Sequence, residues 1–210
     1  MIDKFCEYLT NKIRTKMPEV DDEKAEVIQY GIQLIVGEIP KLILMLLISI
    51  VFNVFWYTLA AFVLILPYKV TSGGVHLKTH IGCFVMTNLV YCGNAILSSK
   101  IILPLEVKIL FVIINAILGI IFITKYAPAD TVNMTILRKK ERKIKQILSY
   151  IFLTINLMIA LFIPNTTISN ILLFGSLIQS LSITRFAYFL AKNEYGYENY
   201  IKQKENLQQV

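Results

Sequence analysis

Residues 109–124 read ILFVIINAILGIIFIT, and no charged side chain interrupts them. A helix that crosses a bilayer needs about 20 predominantly apolar residues, since each residue adds about 1.5 Å to its length. Comparable apolar runs occupy residues 42–52, 54–66, 147–163 and 168–181. Because these runs approach or reach spanning length, they predict a chain that crosses a membrane several times.

The overall composition favours the same class of protein. The chain has 210 residues, of which 56% are hydrophobic and 17% are charged, and its mean hydropathy is +0.62. A soluble domain of this length carries more charge and shows amphipathic rather than continuous apolar runs. We therefore predict an all-α integral membrane protein with about six transmembrane helices. The expected spans are residues 26–50, 53–69, 80–98, 103–124, 146–163 and 168–190.

The first residues differ from these spans because charged and apolar side chains are mixed at helical spacing. This pattern is typical of an amphipathic helix that lies on the membrane surface, and Pro18 is expected to end it. We predict a single membrane domain over residues 1–210. It would consist of an interfacial segment (1–24), a six-span bundle (25–192) and a cytoplasmic tail (193–210).

The positive charge predicts how the spans are oriented. The formal net charge is +7, and lysine and arginine concentrate in residues 4–24, 69–78 and 125–145. Such clusters usually mark cytoplasmic loops, and an even number of spans then places both termini and the loop at 69–78 on the cytoplasmic face. The clusters also suit anionic lipid headgroups, so membrane lipids are expected partners and nucleic acid is not.

The densest basic stretch is RKKERKIK at residues 138–145. One interpretation is an orientation signal that also contacts lipid headgroups. The other is a docking strip for an acidic peptide segment, with Arg138, Lys139 and Lys140 as candidate contacts. The charge pattern leaves both open.

Residues 72–83, SGGVHLKTHIGC, contain both histidines of the chain and one of its three cysteines. The thiolate is the nucleophilic form of cysteine, and a nearby imidazole can take the thiol proton. If a helix begins near Thr79 or His80, Cys83 lies in its first turn, where the helix dipole and unpaired amides stabilise a thiolate and a developing oxyanion. His80 would be its i, i+3 neighbour, whereas His76 would reach it through the glycine turn. The spacing leaves both bases open.

Two glycines precede His76 in this segment. Gly73 and Gly74 allow backbone conformations closed to other residues, so the turn can fold His76 back towards the helix, and its amides are candidate oxyanion donors. The simpler interpretations are a polar interfacial histidine bonded to backbone and a cysteine that packs as a small hydrophobe. No Cys-x-x-Cys pair or other metal-ligand spacing occurs, so we expect neither a metal nor a cofactor.

A few polar residues lie within the predicted spans. Glu38 and Lys41 are three residues apart on one helical face, so they either neutralise each other or orient the site or a partner subunit. Other polar side chains are expected to hydrogen-bond between helices, at about 1 kcal/mol each. These are Gln33, Asn88, Asn94, Gln179 and Arg185.

Residues 69–83, KVTSGGVHLKTHIGC, resemble the signature of the AgrB family, the accessory gene regulator B membrane endopeptidases of bacterial quorum sensing. The length, the six apolar spans and the stretch KYAPAD at residues 125–130 also resemble that family. The resemblance implies that His76 and Cys83 are the catalytic pair, and so prefers His76 to His80. Lys69 stands where the family often has arginine, and with Thr79 it is a candidate to bind or orient the substrate.

The resemblance also implies an activity. The chain would be a cysteine endopeptidase of the bacterial cytoplasmic membrane, with its active site at the cytoplasmic face. It would cleave an AgrD-like propeptide on its C-terminal side through a Cys83 thioester. It would then promote cyclisation to a thiolactone or lactone autoinducing peptide. A homodimer is implied in the same way.

Two other classes of function compete with this one. Polar residues and Gly or Pro interruptions within spans can line the path of a small transporter or exporter of a peptide or other amphipathic substrate. A non-catalytic membrane scaffold would make the histidine and the cysteine incidental. Substitution of Cys83 by serine distinguishes both rivals from the protease, because a transporter or scaffold should tolerate the loss of the thiol and a thiol protease should not.

Overall fold

The computed structural model describes residues 2–17, 21–77, 79–132 and 135–208, and all of its regular structure over these ranges is helical. The helices are α1 (Ile2–Lys16), α2 (Asp22–Val51), α3 (Phe55–Ser72), α4 (His80–Asn88), α5 (Asn94–Lys100), α6 (Leu105–Tyr126), α7 (Lys139–Phe162), α8 (Thr166–Ser182), α9 (Arg185–Leu190) and α10 (Gly196–Gln208). A short π-helix, Leu89–Gly93, joins α4 to α5. The all-α prediction is confirmed.

Four helical stretches in the described part of the chain are long and apolar enough to cross a membrane. They are Phe55–Ser72, Ile81–Lys100, Leu105–Tyr126 and Lys139–Phe162, which correspond to the second to fifth predicted spans. The first and sixth predicted spans are helical but are not among these four, so the count of six stays a prediction.

Two predicted spans differ from the helices of the structure. Helix α7 begins at Lys139 rather than near residue 146, so the basic run belongs to its first turns. The predicted span at 168–190 is divided into α8 and α9, because Thr184 leaves the helical conformation and caps α9 by accepting a hydrogen bond from the Ala187 amide. Helix α10 lies within the predicted tail at 193–210, whose cytoplasmic location stays a prediction.

The chain divides into two compact units, Met1–Ile48 and Ser49–Val210. The first contains α1 and most of α2. In α1, Cys6 and Thr10 are buried one turn apart whereas Tyr8 is exposed, so one side of this helix is covered. Its position on a membrane surface and the single-domain organisation stay predictions.

The second unit is a bundle of α3, α5, α6, α7 and α8 around buried side chains such as Tyr68, Ile123 and Leu153. Helix α6 has Glu106 in its first turn and Lys125 in its last, an arrangement that complements the helix dipole. Short side chains let the other helices approach closely. Gly175 of α8 lies against the fully buried Ile65 of α3.

Polar side chains join these helices. The Asn94 amide donates to the Ile171 carbonyl at 3.0 Å, and Gln179 donates to the Ser72 hydroxyl at 2.8 Å, as predicted. Asn88 instead donates to Phe84 of its own helix. Arg185 of α9 donates to the Glu198 carboxylate of α10. The Gln33 side chain lies outside the described residues.

We expect Gly175→Ala to destabilise the bundle by about 1–3 kcal/mol, the usual cost of overpacking a filled core. A Cβ at Gly175 would clash with the tip of Ile65 and lie 2.9 Å from its Cγ1 atom. Thermal unfolding in detergent measures the effect. Gly93→Ala is the matched control, because a Cβ there meets nothing closer than 3.9 Å. Equal melting temperatures for the two variants would contradict this packing.

Candidate active site

Cys83 lies in the first turn of α4, as predicted. Thr79 is the N-cap residue, with extended backbone (φ −103°, ψ 139°), and its hydroxyl accepts a hydrogen bond from the Gly82 amide at 3.1 Å. The Cys83 amide donates to the Thr79 carbonyl at 2.9 Å and so closes the turn. The cysteine is half-buried. The backbone of Cys83 is therefore fixed in the N-terminal turn of α4.

Helix α3 ends in a turn that requires glycine. Gly73 has φ +75° and Gly74 has φ +132°, both in the region that side chains with a Cβ avoid. Gly74 donates to the Ala129 carbonyl at 2.9 Å, and Ala129 donates to Ser72 at 2.8 Å. A Cβ on Gly73 would clash with the Ala129 carbonyl oxygen. The turn is therefore joined to the segment that follows α6, and a role of these glycines in supporting the site stays a prediction.

The end of α8 holds the same turn from another direction. The Gln179 side-chain amide donates to the Ser72 hydroxyl at 2.8 Å and to the Gly73 carbonyl at 2.7 Å. The Val75 amide donates to the Ser182 carbonyl at 3.2 Å. The sequence predicts only that Gln179 hydrogen-bonds between helices. Its binding to the turn before His76 is visible only in the structure.

These contacts correct one prediction. The amides of Gly73, Gly74 and Val75 all donate to backbone carbonyls, so they are not available as oxyanion donors. The physical reason is that a turn buried between two other segments must satisfy its own amides. In the first turn of α4 the Gly82 and Cys83 amides also donate, to Thr79, so the amides that the helix itself leaves without an intrahelical partner are those of His80 and Ile81.

His76 follows this turn and is exposed. Its carbonyl accepts a hydrogen bond from the Asn193 side-chain amide at 2.6 Å. Lys69 lies in the last turn of α3, and its carbonyl accepts a hydrogen bond from the Gly73 amide. The side chain of His80 lies outside the described residues.

A buried ion pair lies next to the segment that holds the glycine turn. The Asp130 carboxylate is 1% exposed and accepts hydrogen bonds from the Arg142 guanidinium at 2.8 Å and from the Ile136 amide at 2.9 Å. Arg142 also donates to the Pro128 carbonyl at 3.2 Å and lies 4.2 Å from the centre of the Tyr197 ring. Sequence reasoning gave neither charge this role, although Asp130 and Glu141 are the acidic residues within the basic stretch 125–145.

The C-terminal segment hydrogen-bonds to the backbone of Asp130. The Asp130 carbonyl accepts the Tyr188 hydroxyl at 3.2 Å and the Gly196 amide at 3.3 Å. Tyr188 stacks on Tyr195 with ring centroids 4.0 Å apart. Burial raises the pKa of the Tyr195 phenol, so it stays protonated and donates to the Ile183 carbonyl at 2.7 Å. Residues after α8 are thus part of the structure around the site.

The remaining predicted site residues lie elsewhere. In the first unit, Lys41 and Glu38 form an ion pair with a 2.6 Å contact, which favours mutual neutralisation. A role for them in orienting the site stays a prediction. Exposed side chains at the start of α7 are Arg138, Lys139 and Lys140. Within the described ranges, no group of three or more His, Cys, Asp or Glu side chains could hold a metal ion.

Comparison with known proteins decides the family. The model of the family described as Accessory gene regulator B matches residues 6–183. The chain belongs to the AgrB family. It is 26% identical to Accessory gene regulator protein B of Staphylococcus aureus (strain bovine RF122 / ET3-1) over 184 residues, which cover 87% of this chain and 91% of the relative. It is also 26% identical to the protein of that name from Staphylococcus epidermidis, over 87% of this chain and 88% of the relative. No solved structure matches significantly.

Family membership has consequences for the class of the protein. Together with four apolar helices, it makes this AgrB chain a multi-pass membrane protein. The AgrB family processes AgrD in peptide quorum sensing, so an AgrD-type propeptide is the substrate class that membership implies.

We expect Asp130→Asn to destabilise the second unit by about 3 kcal/mol, because it leaves the mostly buried Arg142 guanidinium without its carboxylate. Unfolding by denaturant in detergent measures the loss. Glu141→Gln is the matched control. It breaks a 3.6 Å contact with Lys145 in which both side chains keep substantial solvent exposure, and should cost less than about 1 kcal/mol. Equal losses in the two variants would contradict a structural role for the buried pair.

Proposed function

We propose that this AgrB protein is a membrane cysteine endopeptidase that cleaves an AgrD-like propeptide through a Cys83 thioester, with His76 as general base. The observation that carries the proposal is the placement of Cys83 in the first turn of α4, behind the Thr79 cap. A helix N-terminus lowers the free energy of a thiolate relative to a thiol, and thiolate is the attacking species.

The chemistry has two steps. His76 accepts the thiol proton, and the Cys83 sulfur attacks a peptide carbonyl towards the C-terminal part of the propeptide. The carbon–nitrogen bond breaks, and His76 returns the proton to the leaving amine. The His80 and Ile81 amides, at the start of α4, are the proposed donors to the oxyanion. The N-terminal part of the peptide is left as a thioester on Cys83.

A thioester conserves much of the acyl-transfer free energy, and this allows ring closure. A side-chain thiol or hydroxyl of the peptide attacks the thioester carbonyl, forms the thiolactone or lactone, and releases the Cys83 thiol. Water is the competing nucleophile, because it would hydrolyse the thioester to a linear product. A site at the edge of the bilayer, with access to water restricted, favours the cyclic product.

The orientation of the site is supported by charge. The bridge between Gly73 and Ala129 places the end of α3 and the segment after α6 at one end of the bundle. Lys69 and Lys125 lie at this end, and the basic first turns of α7 follow it in the chain. Positive charge at the ends of spans favours the cytoplasmic face. We therefore propose that the site is cytoplasmic. With the six predicted spans, both termini are proposed to lie on the same face. A homodimer is proposed from family membership.

The exposed cations at the start of α7 are proposed to bind an acidic segment of the propeptide. Arg142 is engaged with Asp130, whereas Arg138, Lys139 and Lys140 are exposed on the first turn of the helix or next to it. Exposed charges mainly raise the rate of encounter and lower KM, and their effect weakens with salt.

Mass spectrometry of the purified protein incubated with its AgrD-like precursor tests the chemistry. The wild type should form an acyl adduct on Cys83 and release the C-terminal fragment, and Cys83→Ala should do neither. His76→Ala should slow cleavage by about 10²–10⁴-fold, the usual contribution of a general base. His80→Ala is the matched control and should retain cleavage. Full cleavage by His76→Ala would refute its assignment. An inert wild type, correctly folded, would favour transport instead.

Replacement of Arg138, Lys139 and Lys140 by glutamine should raise KM for the precursor and leave kcat nearly unchanged, because the substrate loses electrostatic capture but not chemistry. The comparison is a protein with the exposed α10 residues Lys202 and Lys204 changed to glutamine. Steady-state cleavage at two salt concentrations measures the effect, after cysteine labelling has confirmed the topology. Complete loss of kcat in correctly inserted protein would assign these residues a role in the chemistry.

A further inference from the structure

Three consecutive residues before the helix of the nucleophile are each held by a different segment of the chain. The Gly74 amide donates to Ala129, after α6, and the Val75 amide donates to Ser182, at the end of α8. The third contact is to His76 itself, whose carbonyl accepts from the Asn193 side-chain amide at 2.6 Å. The contact to His76 joins residues 117 positions apart in the sequence.

Asn193 is well placed to act as a fixed anchor. It follows a tight turn in which Lys192 has φ +52°, and its own amide donates to the Tyr188 carbonyl at 2.9 Å. Tyr188 is buried, stacks on Tyr195 and donates to the Asp130 carbonyl. In sequence, Asn193 therefore lies between Tyr188 and Tyr195. Both tyrosines contact the segment around Asp130, which also carries Ala129.

The contact matters because of what precedes His76. Two glycines with positive φ allow the chain to take conformations that other residues avoid, so the direction in which His76 leaves the turn depends on tertiary contacts. A hydrogen bond to the His76 carbonyl restrains the backbone from which the imidazole projects. Since a general base must lie within hydrogen-bond reach of its proton, a displacement of about 1 Å can cost about 100-fold in rate.

We propose that Asn193 is a positioning residue for the general base: its amide holds the His76 backbone so that the imidazole can take the Cys83 proton. The proposal rests on the proposed thiol-protease function. It assigns the segment after α8 a part in catalysis, in which Asn193 acts through the His76 backbone.

The test uses the full-length protein in nanodiscs and two variants. Asn193→Ala removes the side-chain amide, and Asn193→Asp keeps the size of the side chain but cannot donate at neutral pH. Both should lower kcat for precursor cleavage by about 10- to 100-fold with little change in KM. Asn199→Asp is the matched control. It changes a half-buried asparagine of the same C-terminal segment that donates to the Glu194 carboxylate instead.

A second measurement does not depend on the substrate. The rate of iodoacetamide alkylation at Cys83, mapped by peptide mass, follows the thiolate. A misplaced base stabilises the thiolate less, so both Asn193 variants should shift the alkylation midpoint to higher pH, towards that of His76→Ala. The Asn199 variant should match the wild type. A purely structural role for Asn193 would lower thermal stability without moving this midpoint.

The outcomes separate the two proposals. The positioning role would be overturned, and the protease proposal left intact, if both Asn193 variants kept the wild-type kcat and alkylation profile. A rise in KM at constant kcat would have the same meaning. So would a loss of thermal stability with an unmoved alkylation midpoint. A wild type that neither cleaves the precursor nor shows His76-dependent alkylation would overturn the proposed function itself. A kcat loss with a shifted midpoint supports the positioning role.

Discussion

The buried contact between Asp130 and Arg142 is the interaction on which the arrangement of the site depends. Removing two charges from water is costly, and the cost is offset here by a 2.8 Å ion pair, by the Ile136 amide and by the cation–π contact of Arg142 with Tyr197. These bonds hold the segment after α6 against the start of α7 and the C-terminal residues. The carboxylate thus organises three parts of the chain that are remote in sequence from the nucleophile.

The glycine turn connects this organisation to the loop that carries His76. Ala129 precedes Asp130 and exchanges backbone hydrogen bonds with residues 72–74, while Gln179 binds the same turn from α8. A turn with two positive φ values has many accessible conformations in an isolated peptide, and external contacts select one of them. Because the contacts come from both sides, the loop that carries His76 is defined by the bundle rather than by its local sequence.

The site also illustrates how a membrane protein uses polar groups. Within the bundle, asparagine, glutamine, serine and tyrosine side chains bond to carbonyls or hydroxyls of neighbouring helices, since an unpaired polar group is costly where water is excluded. The same requirement explains why the amides of Gly73, Gly74 and Val75 are paired. Catalytic donors are therefore expected at the start of α4, where a helix leaves amides without intrahelical partners.

The sequence by itself determined the membrane class, the helical composition and a helix start near Thr79, because apolar runs and capping residues are local properties. Its spacing left His76 and His80 both open as the base for Cys83, and the preference for His76 rests on the resemblance to the family motif. The sequence could not determine the start of α7, the end of α8, the pairing of Asp130 with Arg142, or the hydrogen bond from Asn193 to His76. These depend on which distant segments pack together. A hydrogen-bond partner 117 residues away leaves no trace in the spacing of either residue, so only the tertiary structure decided what holds the loop of His76.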